Sequence, residues 1–273
     1  LGVLQSTLTD FRFLSDEWKK NVEEERLLGV SLTGLKDHPI LSTCSVTAKM
    51  WLASLRGHTR GVAVLWSSAL GINTPKAITS VKPSGTVSQL VDSSSGIHPR
   101  FSQYYIRRVR VASSDPLAKF LIDQGIPYHP EVGQDWHNCT TIVFEFPMKA
   151  PEGAVLRGTE TAIEQLEYWK MIKEYWTDHN PSNTIYVKPD EWLEVGAWVY
   201  KNFNIATGLT FFPYDNGVYQ LAPYEEIDEE TYNKLVKTMP EKIDWNRLNE
   251  YEKEDTTNGA REWACSGDKC ELV

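Results

Sequence analysis

The chain has 273 residues, with 28 basic against 37 acidic side chains and a formal net charge of −9. At 41% hydrophobic and 24% charged, it has the make-up of a globular chain able to bury one large core or two modest ones. The acidic balance excludes a nucleic-acid-coating surface, so a nucleotide has to be held by a local site: the partner is a small anion, not a polymer. No apolar run reaches the length of a membrane span, and the opening LGVLQSTLTDF has no basic region followed by an apolar block, which reads as cytoplasmic.

In chain order, residues 16–26 read as a polar-faced helix running into a strand-like stretch at 29–35, and residues 46–70 as a longer apolar-faced helix. Ala77, Ile78 and Val81 read as a short strand that Pro83 ends. Gly85 permits the dihedrals of a turn, and Thr86, Val87 and Ser88 then open a helix. Asp115 followed by Pro116 is a helix start, with Asp as N-cap and Pro at the first position, and Gly125 is the stop. A strand at 140–146, a helix at 160–177, a strand at 184–187, a helix at 190–203 and a strand at 209–212 follow. The alternation argues for an α/β fold. Periodicity alone does not choose between a barrel and a doubly wound sheet.

The stretch VKPSGTVSQLVDSSSGIHPRFSQYYIRRVR, residues 81–110, is the most informative in the chain. Free N–H groups where a turn opens a helix, added to the helix dipole, form an anion site that needs no lysine. It is not a Walker A loop, since no Gly-Lys-Ser/Thr follows. The alternative is a plain turn with a Ser/Thr cap.

KPSGTVSQL followed by SSGIHP and YYIRRVRV resembles the C-terminal half of an adenosylcobalamin-dependent ribonucleotide reductase, of the monomeric, triphosphate-reducing kind. ERLLGVSLTGL (25–35), GLTFFPYDNGVYQLAPYE (208–225) and the ending CSGDKCELV (265–273) agree with it in order and rough spacing. The resemblance implies the second half of a ten-stranded α/β barrel over residues 1–250 and a flexible redox tail over 251–273. It implies that main-chain amides around Pro83, Ser84, Gly85, Thr86 and Val87 bind the phosphates of a ribonucleoside triphosphate. It also implies adenosylcobalamin as radical source, bound jointly with an N-terminal half of the reductase, and a thioredoxin-type reductant.

The tail is polar and Gly-punctuated until Cys265 and Cys270, which enclose Ser-Gly-Asp-Lys, a loop short enough to bring two sulfurs to disulfide distance. A metal half-site and two unrelated thiols are the alternatives. A zinc site needs further ligands that the tail lacks, whereas an exchange-competent dithiol suits a reducing compartment. The resemblance makes the pair a catalytic shuttle that carries electrons to an active-site disulfide. Residues 252–264, at about 3.3 Å each when extended, give a reach of about 40 Å.

Cys44 and Cys139 read as buried core thiols. Neither lies in the Asn-x-Cys-x-Glu loop that the resemblance requires of the radical cysteine. Alone, therefore, the chain is expected not to reduce ribonucleotides, and a truncated frame, a split enzyme and a remnant all remain open. His98 either contacts the nucleotide or anchors backbone, and His129, His137 and His179 read as loop residues. Tyr104 and Tyr105 read as a strand pair with one ring buried. Arg108 and Arg110 share a strand face, meeting phosphate or pairing with carboxylates. Tyr168, Trp169, Tyr175 and Trp176 read as core. Two other functions stand beside the reductase half: a non-catalytic nucleotide-binding or assembly module, and a thioredoxin-linked redox protein, which would lack the usual Cys-x-x-Cys.

Overall fold

The structure, a computed structural model, describes residues 1–85, 87–214 and 220–253. The Cys265–Cys270 pair and Thr86 lie outside the described residues.

The first helices are set by their caps. After α1 (Gly2–Gln5), α2 (Asp16–Glu25) starts where Ser15 Oγ accepts the Trp18 amide, carries Asp16 and Glu17 in its first turn, and stops at Arg26 in the left-handed region, φ 49°. The expected strand at 29–35 shortens to β1 (Val30–Ser31), because Gly34 turns the chain at φ 72° into a 3-10 turn. Ser45 caps α3 (Val46–Leu70) through the Ala48 amide, and Gly71 at φ 66° ends it, so both ends fall where cap and glycine put them. β2 (Thr79–Ser80) pairs in parallel with β1, Val30 opposite Thr79. Then comes α4 (Val87–Leu90), a single turn.

β3 (Tyr104–Ala112) is followed by α5 (Pro116–Asp123), whose N-cap Asp115 accepts the Leu117 amide at 2.8 Å. Next are β4 (Tyr128–Pro130) and β5 (Thr141–Lys149). A capping box of Thr161 and Glu164 starts α6 (Ala162–Tyr175). β6 (Asn183–Val187), α7 (Trp192–Lys201) and β7 (Leu209–Pro213) follow, the two strands parallel. The described chain closes with β8 (Tyr224–Glu226), α8 (Glu229–Thr238) and a 3-10 turn, Trp245–Glu250.

By contact the chain divides into two compact units, Leu1–Arg100 with Pro151–Asp215 and Phe101–Ala150 with Asn216–Val273. In the first, the parallel pairs β1–β2 and β6–β7 pack against α3, α6 and α7. Its core is aromatic: Trp169 and Trp176 are fully buried, with their indole N–H groups donating to Pro181 O and Ser80 O, each at 2.8 Å. Buried Tyr168 donates to Leu41 O at 2.7 Å. Burial of each such ring contributes about 1.5–3 kcal/mol, and the hydrogen bonds avoid the desolvation cost of its polar tip. Lys36, 1% exposed, lies 3.5 Å over the Tyr168 ring and pairs with Glu160 at 2.6 Å; burial nevertheless lowers its pKa.

The second unit is an antiparallel sheet in the order β4–β5–β3–β8, with α5 packed on it through Ala118, Phe120, Ile142 and Phe144. The nine-residue ladder of β3 on β5 sets Arg108 opposite Glu145. Tyr105 is buried and Tyr104 is not, as strand alternation requires. The chain is thus α/β, with parallel strands in one unit and antiparallel strands in the other.

Three expectations are corrected. Cys44 is exposed, because it directly precedes the Ser45 cap, where the chain is still outside the helix. Cys139 is half-buried, with its thiol on Thr141 O at 3.3 Å. His129 lies in β4 rather than a loop, 3.3 Å from Glu145.

Candidate functional site at the turn after β2

The chain leaves the carboxyl end of β2 through buried Val81, and the Lys82 amide is held by Ser31 Oγ at 3.2 Å. Pro83, exposed, cannot continue the ladder. Ser84 then closes the turn on itself. Its Oγ accepts the Ser88 amide at 2.7 Å, its carbonyl accepts Ser88 Oγ at 2.5 Å, and its own amide donates to Ser95 Oγ at 2.6 Å. Gly85 is half-buried and Val87 exposed at the start of α4.

Behind the turn, residues 92–100 form a fixed wall. The Ser94 amide donates to Asp37 Oδ2 at 2.7 Å, and Ser94 O accepts both the Gly34 amide and Thr33 Oγ1. Gly96 sits at φ 58°, where a Cβ would lie 2.8 Å from Lys82 O, so only glycine allows this approach. Arg100, whose side chain is 3% exposed, grips Asp37 through Nε and Nη2 and Asp92 through Nη1 and Nη2, at 2.6–3.2 Å. A buried guanidinium on two carboxylates is directional and stiff. It ties the end of α4 to the turn after β1.

His98 is resolved by its partners. Nε2 accepts the Thr184 amide at 3.1 Å, so Nδ1 carries the proton and donates to Ser95 O at 3.1 Å. Burial lowers its pKa, keeping the ring neutral. Of its two readings the backbone anchor holds, since both ring nitrogens are occupied by main chain. A second anchor lies beneath β2: Asp178 accepts the amides of Ile78 and Thr79 and the guanidinium groups of Arg56 and Arg60, which hold its carboxyl well below the usual range.

The expected helix opening is reduced to the one turn of α4, too short for a useful dipole, so any anion affinity rests on the turn amides themselves. The Ser84 and Ser88 amides are committed internally, whereas the Gly85 amide has no acceptor among the described residues. Sequence reasoning found the turn but not Asp37, Asp92, Ser95 and Arg100, which fix it. Asp37 and Arg100 lie 63 positions apart, with no periodic signal to join them. Arg108 and Arg110 pair with carboxylates: Arg108 with Glu145 and Glu225, each at 2.6 Å, and Arg110 with Glu131.

No protein-family model matches the chain. Among curated proteins, it is 33% identical over 209 residues to the probable adenosylcobalamin-dependent ribonucleoside-triphosphate reductase of Dictyostelium discoideum, covering 73% of this chain and 26% of that protein. It is 34% identical over 198 residues to the reductase of Euglena gracilis and 36% over 174 residues to that of Lactobacillus leichmannii, covering 71% and 62% of this chain and 26% and 23% of those proteins. Among solved structures, a B12-dependent (class II) ribonucleotide reductase aligns over 87% of this chain and 36% of its own, with TM-score 0.74 and 25% identity. The chain therefore belongs with the ribonucleotide reductases. Within them it is homologous to one part of the adenosylcobalamin-dependent ribonucleoside-triphosphate reductases, spanning about a quarter of their length.

Proposed function

We propose that the chain is the C-terminal part of an enzyme that reduces ribonucleoside triphosphates to 2′-deoxyribonucleoside triphosphates. Its turn, formed by Pro83, Ser84, Gly85, Thr86 and Val87, cradles the substrate's phosphates on the main-chain amides that follow Ser84, whose own amide is held by Ser95. The observation that carries this reading is the similarity to such reductases, 33% over 209 residues. The stiff wall behind the turn supports the site: a pre-ordered loop loses little entropy on binding a polyphosphate.

The remaining assignments follow from the same reading. The parallel pairs β1–β2 and β6–β7, with helices outside, form part of an α/β barrel over residues 1–250 that the N-terminal half of the reductase completes. Residues 251–273 are the redox tail. The two thiols of Cys265 and Cys270 become a disulfide as an active-site disulfide becomes two thiols, and a thioredoxin-type dithiol then re-reduces the tail. The sequence holds no Asn-x-Cys-x-Glu, so the radical cysteine comes from the other half and this chain alone does not turn over.

Adenosylcobalamin would supply the radical. The cleft beside Gly2, Leu28 and Val30 has a volume of about 510 Å³. That volume is too small for a corrinoid. The described residues at that cleft therefore do not fit the whole cofactor, and no step of this chain is routed through it.

The test is equilibrium binding of a ribonucleoside triphosphate to the chain by calorimetry, with Gly85→Val as comparison. Binding to the parent and a loss of at least tenfold in the variant are expected. Equal affinity would remove the phosphate assignment.

A further inference from the structure

Helix α3 has its polarity reversed. Its buried residues, Ala48, Leu52, Ala63 and Ser67, make one stripe toward the core. Its three cations lie on that same side: Arg56 and Arg60 reach Asp178, and Lys49 stands over the Tyr175 ring. The opposite side carries no carboxylate, lysine or arginine. It exposes Met50 and Leu65, each 67%, Trp51, Val62 and Val64, together with Ser54 and His58. An exposed apolar helix face of this kind is normally covered by another element of a larger protein. Among the described residues no helix is long and apolar enough to cross a membrane.

Within this face Gly57 and Gly61, one turn apart, form a notch: a Cβ built at either meets nothing within 4 Å. Two glycines in a helix interior lower its stability, and in return they let a neighbouring helix axis come close. The same unit has a second unfinished surface. β1, both of whose residues are exposed, pairs with β2 as its one strand partner among the described residues.

We propose that the Gly57/Gly61 face of α3 seats an uncharged helix from the part of the reductase polypeptide that this chain does not contain. The proposal rests on the reductase reading. The occupant is named because the chain spans 26% of its Dictyostelium relative and 36% of the solved class II chain, so the bulk of the relatives' polypeptide remains to supply the cover. A face with no carboxylate, lysine or arginine, whose titratable side chain is His58, selects a partner surface without fixed charge, since an ionic group buried there would go unpaired.

The experiment mixes this chain with the stretch of the Dictyostelium reductase that it does not match and measures association by sedimentation velocity. The parent chain, Leu65→Glu and the double variant Gly57→Ala/Gly61→Ala are compared. Alanine suits a helix better than glycine, so the double variant should melt at an equal or higher temperature. It should nevertheless bind the partner at least tenfold more weakly, and Leu65→Glu should not bind. A complex unaffected by these substitutions overturns the surface and leaves the reductase reading standing. No complex with the parent chain, while it still binds a ribonucleoside triphosphate, also overturns the surface; loss of both removes the reading as well. Self-association of the parent that Leu65→Glu dissolves assigns the face to a second copy and overturns the proposal.

Discussion

The Ser84 amide donates to the Ser95 hydroxyl at 2.6 Å, joining the first small residue of the turn to the loop eleven positions on. Ser95→Ala leaves that amide without its acceptor. The expected cost is about 1 kcal/mol of stability, read by urea denaturation. Ribonucleoside triphosphate binding should weaken several-fold in calorimetry, because the turn is no longer pre-ordered. If affinity stays level while stability falls, the turn does not depend on that bond.

Gly96 and Gly133 share a left-handed backbone, φ 58° and 81°, but a Cβ at Gly96 lies 2.8 Å from Lys82 O while one at Gly133 meets nothing. Gly133→Ala should cost only the backbone term of about 1–2 kcal/mol. Gly96→Ala should cost more and also impair triphosphate binding, since the wall must move away from the turn. Equal destabilisation of the two variants in denaturant would contradict the close approach.

His98 is neutral in the folded chain and its pKa is lowered from 6.5 by burial. As pH falls, the unfolded chain therefore takes up that proton first. The ring's contribution is complete above pH 6.5 and drains away below it, as pH falls toward the lower folded-state value. The buried carboxylate of Asp178 contributes in a different window: its pKa is lowered from 3.8, so its share persists above that pH and is lost below it. Urea midpoints at pH 7.5, 6 and 5 should fall for the parent and change less for His98→Gln. Parallel slopes would remove the neutral-anchor assignment.

Asp178, whose side chain is 5% exposed, serves two amides of the β2 region and two arginines of α3. Asp178→Ala strands the amides and is expected to cost about 2–3 kcal/mol. Asp178→Asn keeps an acceptor and should cost less. Denaturation midpoints decide it, and indistinguishable variants would mean that the charge alone matters.

For the tail, Cys265→Ser or Cys270→Ser in the complete reductase should abolish turnover supported by thioredoxin. One round of product from prereduced enzyme should survive. Rapid-quench measurement of that first round tests the shuttle, and its loss to the same extent would contradict it.

Helices with a chemical start and stop were legible in the sequence. Residues 46–70 were read from an apolar face, and Ser45 and Gly71 bound that helix in the structure; Asp115, Pro116 and Gly125 mark α5, because caps act within four residues. β4, β8 and α8 were not. The two strands have three residues each, and α8 buries none of its residues, so it carries no core-facing signal. The division into two units left no mark on composition either. At the site, the small residues of the turn were readable, since a bend demands them. What stiffens them is long-range: Asp37 with Arg100, and His98 with Thr184, 86 positions on. Cys44 was misjudged because a place near a helix start, in STCSV, says nothing about which side of the cap a residue occupies.

The inserted stretch Phe101–Ala150 leaves and returns at one rung: Ala150 N donates to Gln103 O and the Gln103 side chain to Ala150 O, each at 2.9 Å. Its two ends are therefore only a strand spacing apart, about 4.8 Å. A gap that narrow can be bridged by a short linker. Loops within the excursion can accordingly be lengthened or shortened with little loop-closure penalty to the chain on either side of it. Its core strand β3 also pairs with β8, so a replacement has to supply a new edge for Tyr224–Glu226 as well.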